Sequence, residues 1–129
     1  MTVQRISHIT LYVDDQNTAL DWYVNKLEME VVMDTSKVAP GMRWLTVGPP
    51  GNHDIQIVLL LARTEDERER IGKGSALVLR TDDCVAEIDR LQKAGVDILS
   101  APTEVPFGVT ATIRDLYGNS LDIVGPRNS

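Results

Sequence analysis

An acid interrupts an apolar run near the end of the chain, where Asp122 stands among Leu121, Ile123 and Val124. An isolated buried carboxylate is costly, so such a residue must be exposed, paired or put to use. Burial without a cation would raise its pKa and make it a candidate general base. Arg80, on the strand face of Ala76 and Val78, could pair with it or hold an anionic substrate. The other reactive groups are few: two histidines, His8 and His53, and a single cysteine, Cys84. Cys84 starts a helix, whose dipole favours a thiolate, but Asp82 and Asp83 oppose one. Neither a phosphate-cradling glycine loop nor a serine-nucleophile signature is present.

Flat apolar surface for a planar ligand could come from Trp44, Trp22, Phe107 and Tyr117. Trp22, beside Tyr23 on a helix, is assigned to packing or a subunit contact. Trp44, on a strand, is divided evenly between ligand contact and core. Phe107 and Gly108 follow Pro102 and Pro106 in a segment read as a loop able to cover a cavity, and loops on rigid scaffolds often carry binding residues.

These groups must be placed by strands and helices that the patterning makes visible. Residues Arg5 to Val13 alternate, with Ile6, His8, Thr10 and Tyr12 on one face, the period of a strand. Tyr12 thereby shares the face of His8 as a lining candidate. Asp14 and Asp15 supply a helix N-cap. Leu20, Tyr23, Val24 and Leu27 form the apolar stripe that follows. Glu30–Met33, Met42–Val47 and Asp54–Leu61 read as strands, separated by turns at Pro40-Gly41 and Pro49-Pro50-Gly51-Asn52. Thr64 and Glu67 have capping-box spacing, so the charged run 62–70 is expected to be a short solvated helix joining two halves.

The pattern then repeats. Ser75–Asp83 (SALVLRTDD) lies over Ser7–Asp15 (SHITLYVDD) at an offset of 68. A second capped helix buries Val85, Ile88 and Leu91 and ends at Gly95. Ala94–Leu99 lies over Leu27–Val32, Gly118-Asn119 over Gly51-Asn52, and Leu121–Val124 over Ile55–Val58, where the offset is 66. A drift of two residues over the whole chain marks two copies of one βαβββ unit, and such self-similarity outranks any single motif. The copies put Gln56 and Asp122 at equivalent places and set Ala76 against His8. The expected fold is α+β: module 1 at about 4–61, a connector at about 62–73 and module 2 at about 74–126, forming one domain of eight strands.

At 129 residues the chain has the length of one domain and needs no disulfide or structural metal to fold. Its formal net charge of −6 argues against nucleic acid or an anionic membrane as the main partner and favours solubility. One cysteine excludes an internal disulfide and makes a reducing cytoplasm the default expectation. No apolar run approaches the roughly 20 residues of a spanning helix. The first residues also lack the basic and apolar regions of a signal peptide.

Three stretches carry a resemblance that covers nearly the whole chain: SHITLYVDD, TDDCVAEIDRLQKAGVDIL and FGVTATIRDLYGNSLDIV. The chain resembles the vicinal oxygen chelate superfamily, which includes glyoxalases, methylmalonyl-CoA epimerase, extradiol dioxygenases and bleomycin-resistance proteins. The Arg114–Asn119 stretch is similar to the Asp-Pro-Asp-Gly-Asn turn of that superfamily. The resemblance implies paired βαβββ modules around a small-molecule cavity, with many members homodimeric. In metal-using members it implies ligands from the first and last strand of each module.

Placed on that pattern, His8 stands at the first ligand position, Gln56 at the second and Asp122 at the fourth. Imidazole nitrogen and side-chain oxygens suit zinc, manganese, iron or nickel. Asp122 or His8 would then move protons in a glyoxalase- or epimerase-type lyase or isomerase. The third position is Ala76, which cannot coordinate, so an extradiol dioxygenase is less expected. His53 is a poor substitute, lying three residues from Gln56 on the opposite strand parity. The competing expectation is a metal-free binding protein that sequesters a small molecule, with Tyr12, Trp44, Arg80 and Phe107 lining its site.

Overall fold

The computed structural model describes residues 2–74 and 77–127. The chain divides into two compact units, Met1–Gly72 and Lys73–Ser129. Among the described residues there are eight strands, in two four-stranded sheets, and three helices.

Unit 1 runs β1 (His8–Val13), α1 (Gln16–Asn25), β2 (Glu30–Thr35), β3 (Trp44–Gly48), β4 (Gln56–Leu61) and α2 (Glu65–Glu69). The strands lie in the order β1-β4-β3-β2, with β1 parallel to β4 and the other pairs antiparallel. Leu11, Val13, Leu45, Val47, Ile57 and Leu59 are buried with Ala19 and Tyr23 of α1. Each fully buried aliphatic side chain of this kind stabilises the unit by roughly 1.5–3 kcal/mol. Alternation leaves His8, Thr10, Tyr12, Trp44, Thr46 and Gln56 on the other face of the sheet. The Asp15 carboxylate caps α1 by accepting from Thr18 N at 3.0 Å. The helix buries Ala19 and Tyr23, so the apolar stripe is centred one residue before the expected Leu20 and Val24.

Helix α2 belongs to unit 1. Its Thr64 hydroxyl accepts from Glu67 N, and Glu67 Oε1 reaches back to Arg63 N at 2.9 Å. The capping-box reading therefore holds, with the return bond shifted one residue outward.

Unit 2 repeats the order: β5 (Leu77–Arg80), α3 (Cys84–Lys93), β6 (Asp97–Val105), β7 (Gly108–Arg114) and β8 (Ser120–Gly125), paired β5-β8-β7-β6. Its core joins Leu77, Val109, Ala111, Ile113, Leu121 and Ile123 to Cys84, Ile88 and Leu91 of α3. Val85, expected inside, is 49% exposed. The helix turns Cys84 inward instead, because 84, 88 and 91 follow the i, i+4, i+7 stripe. Ser75 and Ala76, the residues set against Ser7 and His8, lie outside the described residues.

The two units differ in one register. The first strands and helix caps keep the offset of 68, with Asp15 capping α1 and Asp83 capping α3. In unit 1 His8 pairs with Gln56, whereas in unit 2 Asp122 pairs with Val78. Counted along the sheet, Asp122 is therefore two residues beyond the place that Gln56 holds in its own unit. The expected equivalence is corrected by one pleat repeat, and the face is unchanged because side chains alternate with period two.

Candidate functional site

The face of the unit 1 sheet turned away from α1 gathers most of the sequence candidates. His8 and Gln56 stand level on neighbouring strands. Trp44 joins them from β3: its ring meets the His8 imidazole edge-to-face, with centroids 5.7 Å apart. The imidazole is also held by Ser7, whose Oγ lies 2.9 Å from His8 Nδ1. Tyr12, half-buried, lies on the same face, level with Leu60.

Gln56 is tied down by Thr46, a residue that sequence reasoning passed over. The wholly buried Thr46 donates its hydroxyl to Gln56 Oε1 at 2.8 Å. Thr46 lies opposite Val58, so Gln56 is its diagonal neighbour and the long side chain spans the gap. In unit 2 the Thr112 hydroxyl donates to Asp122 Oδ1, also at 2.8 Å. Here the two residues are directly opposite, and the shorter carboxylate suffices. The signal was present in the sequence, since Thr46 and Thr112 stand 66 apart, the separation of Gln56 and Asp122.

Asp122 is half-buried on the face of unit 2 that also carries Val78, Arg80, Thr110 and Val124. Arg80 is level with Val124, one pleat repeat further along β5. Among the described residues no ion pair joins Arg80 to Asp122. Phe107 is 75% exposed in a two-residue turn between β6 and β7. That corrects the expected covering loop: β6 extends to Val105, paired with Gly108, leaving only Pro106 and Phe107 to make the turn. Gly108 adopts φ +155, and a Cβ there would stand 2.2 Å from Gly125 O.

Other candidates are committed elsewhere. His53 Nε2 pairs with Glu30 Oε1 at 2.7 Å, and the same oxygen accepts from Gly51 N. The Gly51 N–H and then His53 hold the Glu30 carboxyl below the usual carboxylate range. Burial, then Asp83 and Glu87, push the Cys84 thiol up, which opposes a nucleophilic role. Trp22, half-buried, meets Tyr23 edge-to-face with ring centroids 5.0 Å apart. A recess of about 270 Å³ opens at the opposite end of β4 from Gln56, beside Gln16, Arg43, Leu60 and Arg63. Its polar groups are already engaged: Arg43 with Asp34 and Asn17, and Gln16 Nε2 with the carbonyls of Arg43 and Leu59.

Neither unit by itself gathers a donor set that fits a resident divalent ion. Unit 1 offers one imidazole and one neutral amide already bonded to Thr46, and unit 2 offers one carboxylate already bonded to Thr112. A zinc-type centre wants three or four donors with enough negative charge to offset desolvation of the ion. Among the described residues no three His, Cys, Asp or Glu side chains come together.

Comparison with known proteins agrees with this architecture. A protein of Shewanella frigidimarina is 35% identical over 125 residues, covering 94% of this chain and 93% of its own. The crystal structure of UcmS2 superposes with a TM-score of 0.84 at 34% identity, covering 95% of this chain and 98% of its own. TnmS3, described as an antibiotic binding protein from Streptomyces sp. CB03234, gives 0.83 at 32% identity, with 98% of each chain covered. The family model of the Glyoxalase/Bleomycin resistance protein/Dioxygenase superfamily matches residues 5–123, and the chain belongs to that superfamily.

Proposed function

We propose that the protein binds a small, planar, largely apolar molecule without covalent chemistry and so removes it from solution. The observation that carries this is the edge-to-face pair of His8 and Trp44 in unit 1. Two aromatic rings fixed against one another offer rigid apolar surface at little entropic cost. The antibiotic-binding description of TnmS3, at 32% identity over nearly the full chain, supports the same reading. Fold membership alone would not, because one fold serves many chemistries. The weak donor set costs this reading nothing, and a net charge of −6 is compatible with neutral or cationic ligands.

The test is a ligand screen read by thermal shift and by tryptophan fluorescence, with mass spectrometry of the recovered compound. A bound ligand at a hundred times its Kd stabilises the folded state by about 2.7 kcal/mol. The compound should return unaltered, and Trp44→Ala should weaken binding by about tenfold. Elemental analysis supplies the contrary outcome. Stoichiometric metal in the native protein, lost in Asp122→Ala, together with turnover of a 2-oxoaldehyde, would replace this reading with a metal-assisted lyase.

A further inference from the structure

We propose that Thr46 fixes the Gln56 amide as a hydrogen-bond donor on the face of unit 1 that carries His8 and Trp44, so the ligand taken there carries an acceptor, an aryl carbonyl. This rests on the small-molecule reading above and narrows it to a chemical class.

An amide side chain can present either its oxygen or its nitrogen, and its environment decides which. The buried Thr46 hydroxyl lies 2.8 Å from the Gln56 oxygen. In the opposite orientation that hydroxyl would accept from the amide nitrogen and its own hydrogen would lack this acceptor, a costly state for a buried donor. The chain contains its own control. Thr112 donates its hydroxyl to Asp122 Oδ1 at the same 2.8 Å. The hydroxyl is the donor in unit 2, and the same direction in unit 1 leaves no buried hydroxyl hydrogen without its acceptor. With its oxygen engaged by Thr46, Gln56 is left with the N–H groups of Nε2 as its free polar contribution. The His8 and Trp44 rings beside it accept a planar ring system. An aromatic ketone, whose oxygen only accepts, satisfies both halves of this surface, whereas an arylammonium group would set donor against donor.

Fluorenone and fluorene form the probe pair, being alike in shape and differing in one carbonyl. Binding is read by quenching of Trp44 in a Trp22→Phe background. Fluorenone should bind about five-fold more tightly, the worth of one neutral hydrogen bond. Gln56→Glu, which presents only acceptors, should abolish or reverse that preference while fluorene affinity stays within about two-fold. Thr46→Val should reduce the preference and Thr46→Ser restore it, a pattern that general loss of packing would not give. Equal affinity for both probes in the parent protein would overturn the donor assignment and leave the binding reading standing. Failure of both probes to bind would overturn the two together.

Discussion

Asp115 holds Asn119 at both ends of a tight turn: one carboxylate oxygen accepts from Asn119 N and the other from Asn119 Nδ2, each at 2.8 Å. The Asn119 side-chain oxygen in turn accepts from Gly74 N, just before β5, at 2.8 Å. Both residues are at least 95% buried, with exposures of 5% and 2%. The turn thus pins the start of β8 to the residues preceding its partner strand. Asn119→Ala removes the acceptor of Gly74 N and one donor to a buried carboxylate. We expect a loss of about 2–4 kcal/mol in urea unfolding. A loss below about 1 kcal/mol would show that water replaces these bonds without cost.

The ends of α1 and α3 meet the same geometric demand with different residues. Gly95 follows α3 with φ +87, and Glu28, its counterpart after α1, has φ +58. A left-handed backbone costs a non-glycine residue roughly 1–2 kcal/mol. Gly95→Ala should therefore destabilise by about 1–2 kcal/mol. Glu28→Gly should stabilise by about 0.5 kcal/mol, once the greater freedom of glycine in the unfolded chain is subtracted. Thermal midpoints of the two variants should move in opposite directions, and movement in the same direction would contradict the argument.

Most of the fold was readable from residue patterns because its determinants are local and doubled. Asp15 and Asp83 cap their helices as expected, and the alternation in β1, β4 and β8 put one face of each strand in a core. Other features depend on contacts between distant residues. A slip of two residues between β4 and β8 leaves alternation intact, so periodicity could not reveal that Asp122 is level with Val78. The bonds from Thr46 to Gln56 and from Thr112 to Asp122 depend on that register. Hydroxyls on strands also look ordinary in a sequence, since threonine suits a strand with or without a partner. Phe107 was misplaced because Pro102 suggested a loop, although β6 continues through it to Val105.

Acid stability should report two carboxylates of unit 1. The Arg43 guanidinium holds Asp34 below the usual carboxylate range, and the Gly51 N–H and then His53 do so for Glu30. A depressed folded-state pKa contributes stability that is present above the unfolded value and is lost as pH falls through the folded one. The loss should begin as pH drops below the ordinary carboxylate values of roughly 4. Asp34→Asn with Glu30→Gln should lower the thermal midpoint slightly at pH 7. The parent and variant curves should converge by about pH 3. Both groups are solvent-accessible, so the effect is small and should shrink further in 1 M salt. Parallel curves from pH 7 to pH 3 would contradict the assignment.

Cys84 presents the opposite case, a group whose chemistry the fold suppresses. Its position at the start of α3 would lower a thiol pKa if the helix dipole acted alone. The side chain is 2% exposed, and its Sγ lies 3.7 Å from Ile123 O. Burial raises the pKa first, and Asp83 and Glu87 add to the effect, so thiolate is scarce and screened from reagents. Native protein should therefore react with iodoacetamide at least about a hundred times more slowly than the urea-unfolded chain. Its rate should follow the population of opened molecules when denaturant is varied below the unfolding transition. Cys84→Ala should cost about 1 kcal/mol of stability, the loss of one small packed group. Labelling of the folded protein at the rate of the unfolded chain would show that α3 opens freely and that the thiol is available for chemistry after all.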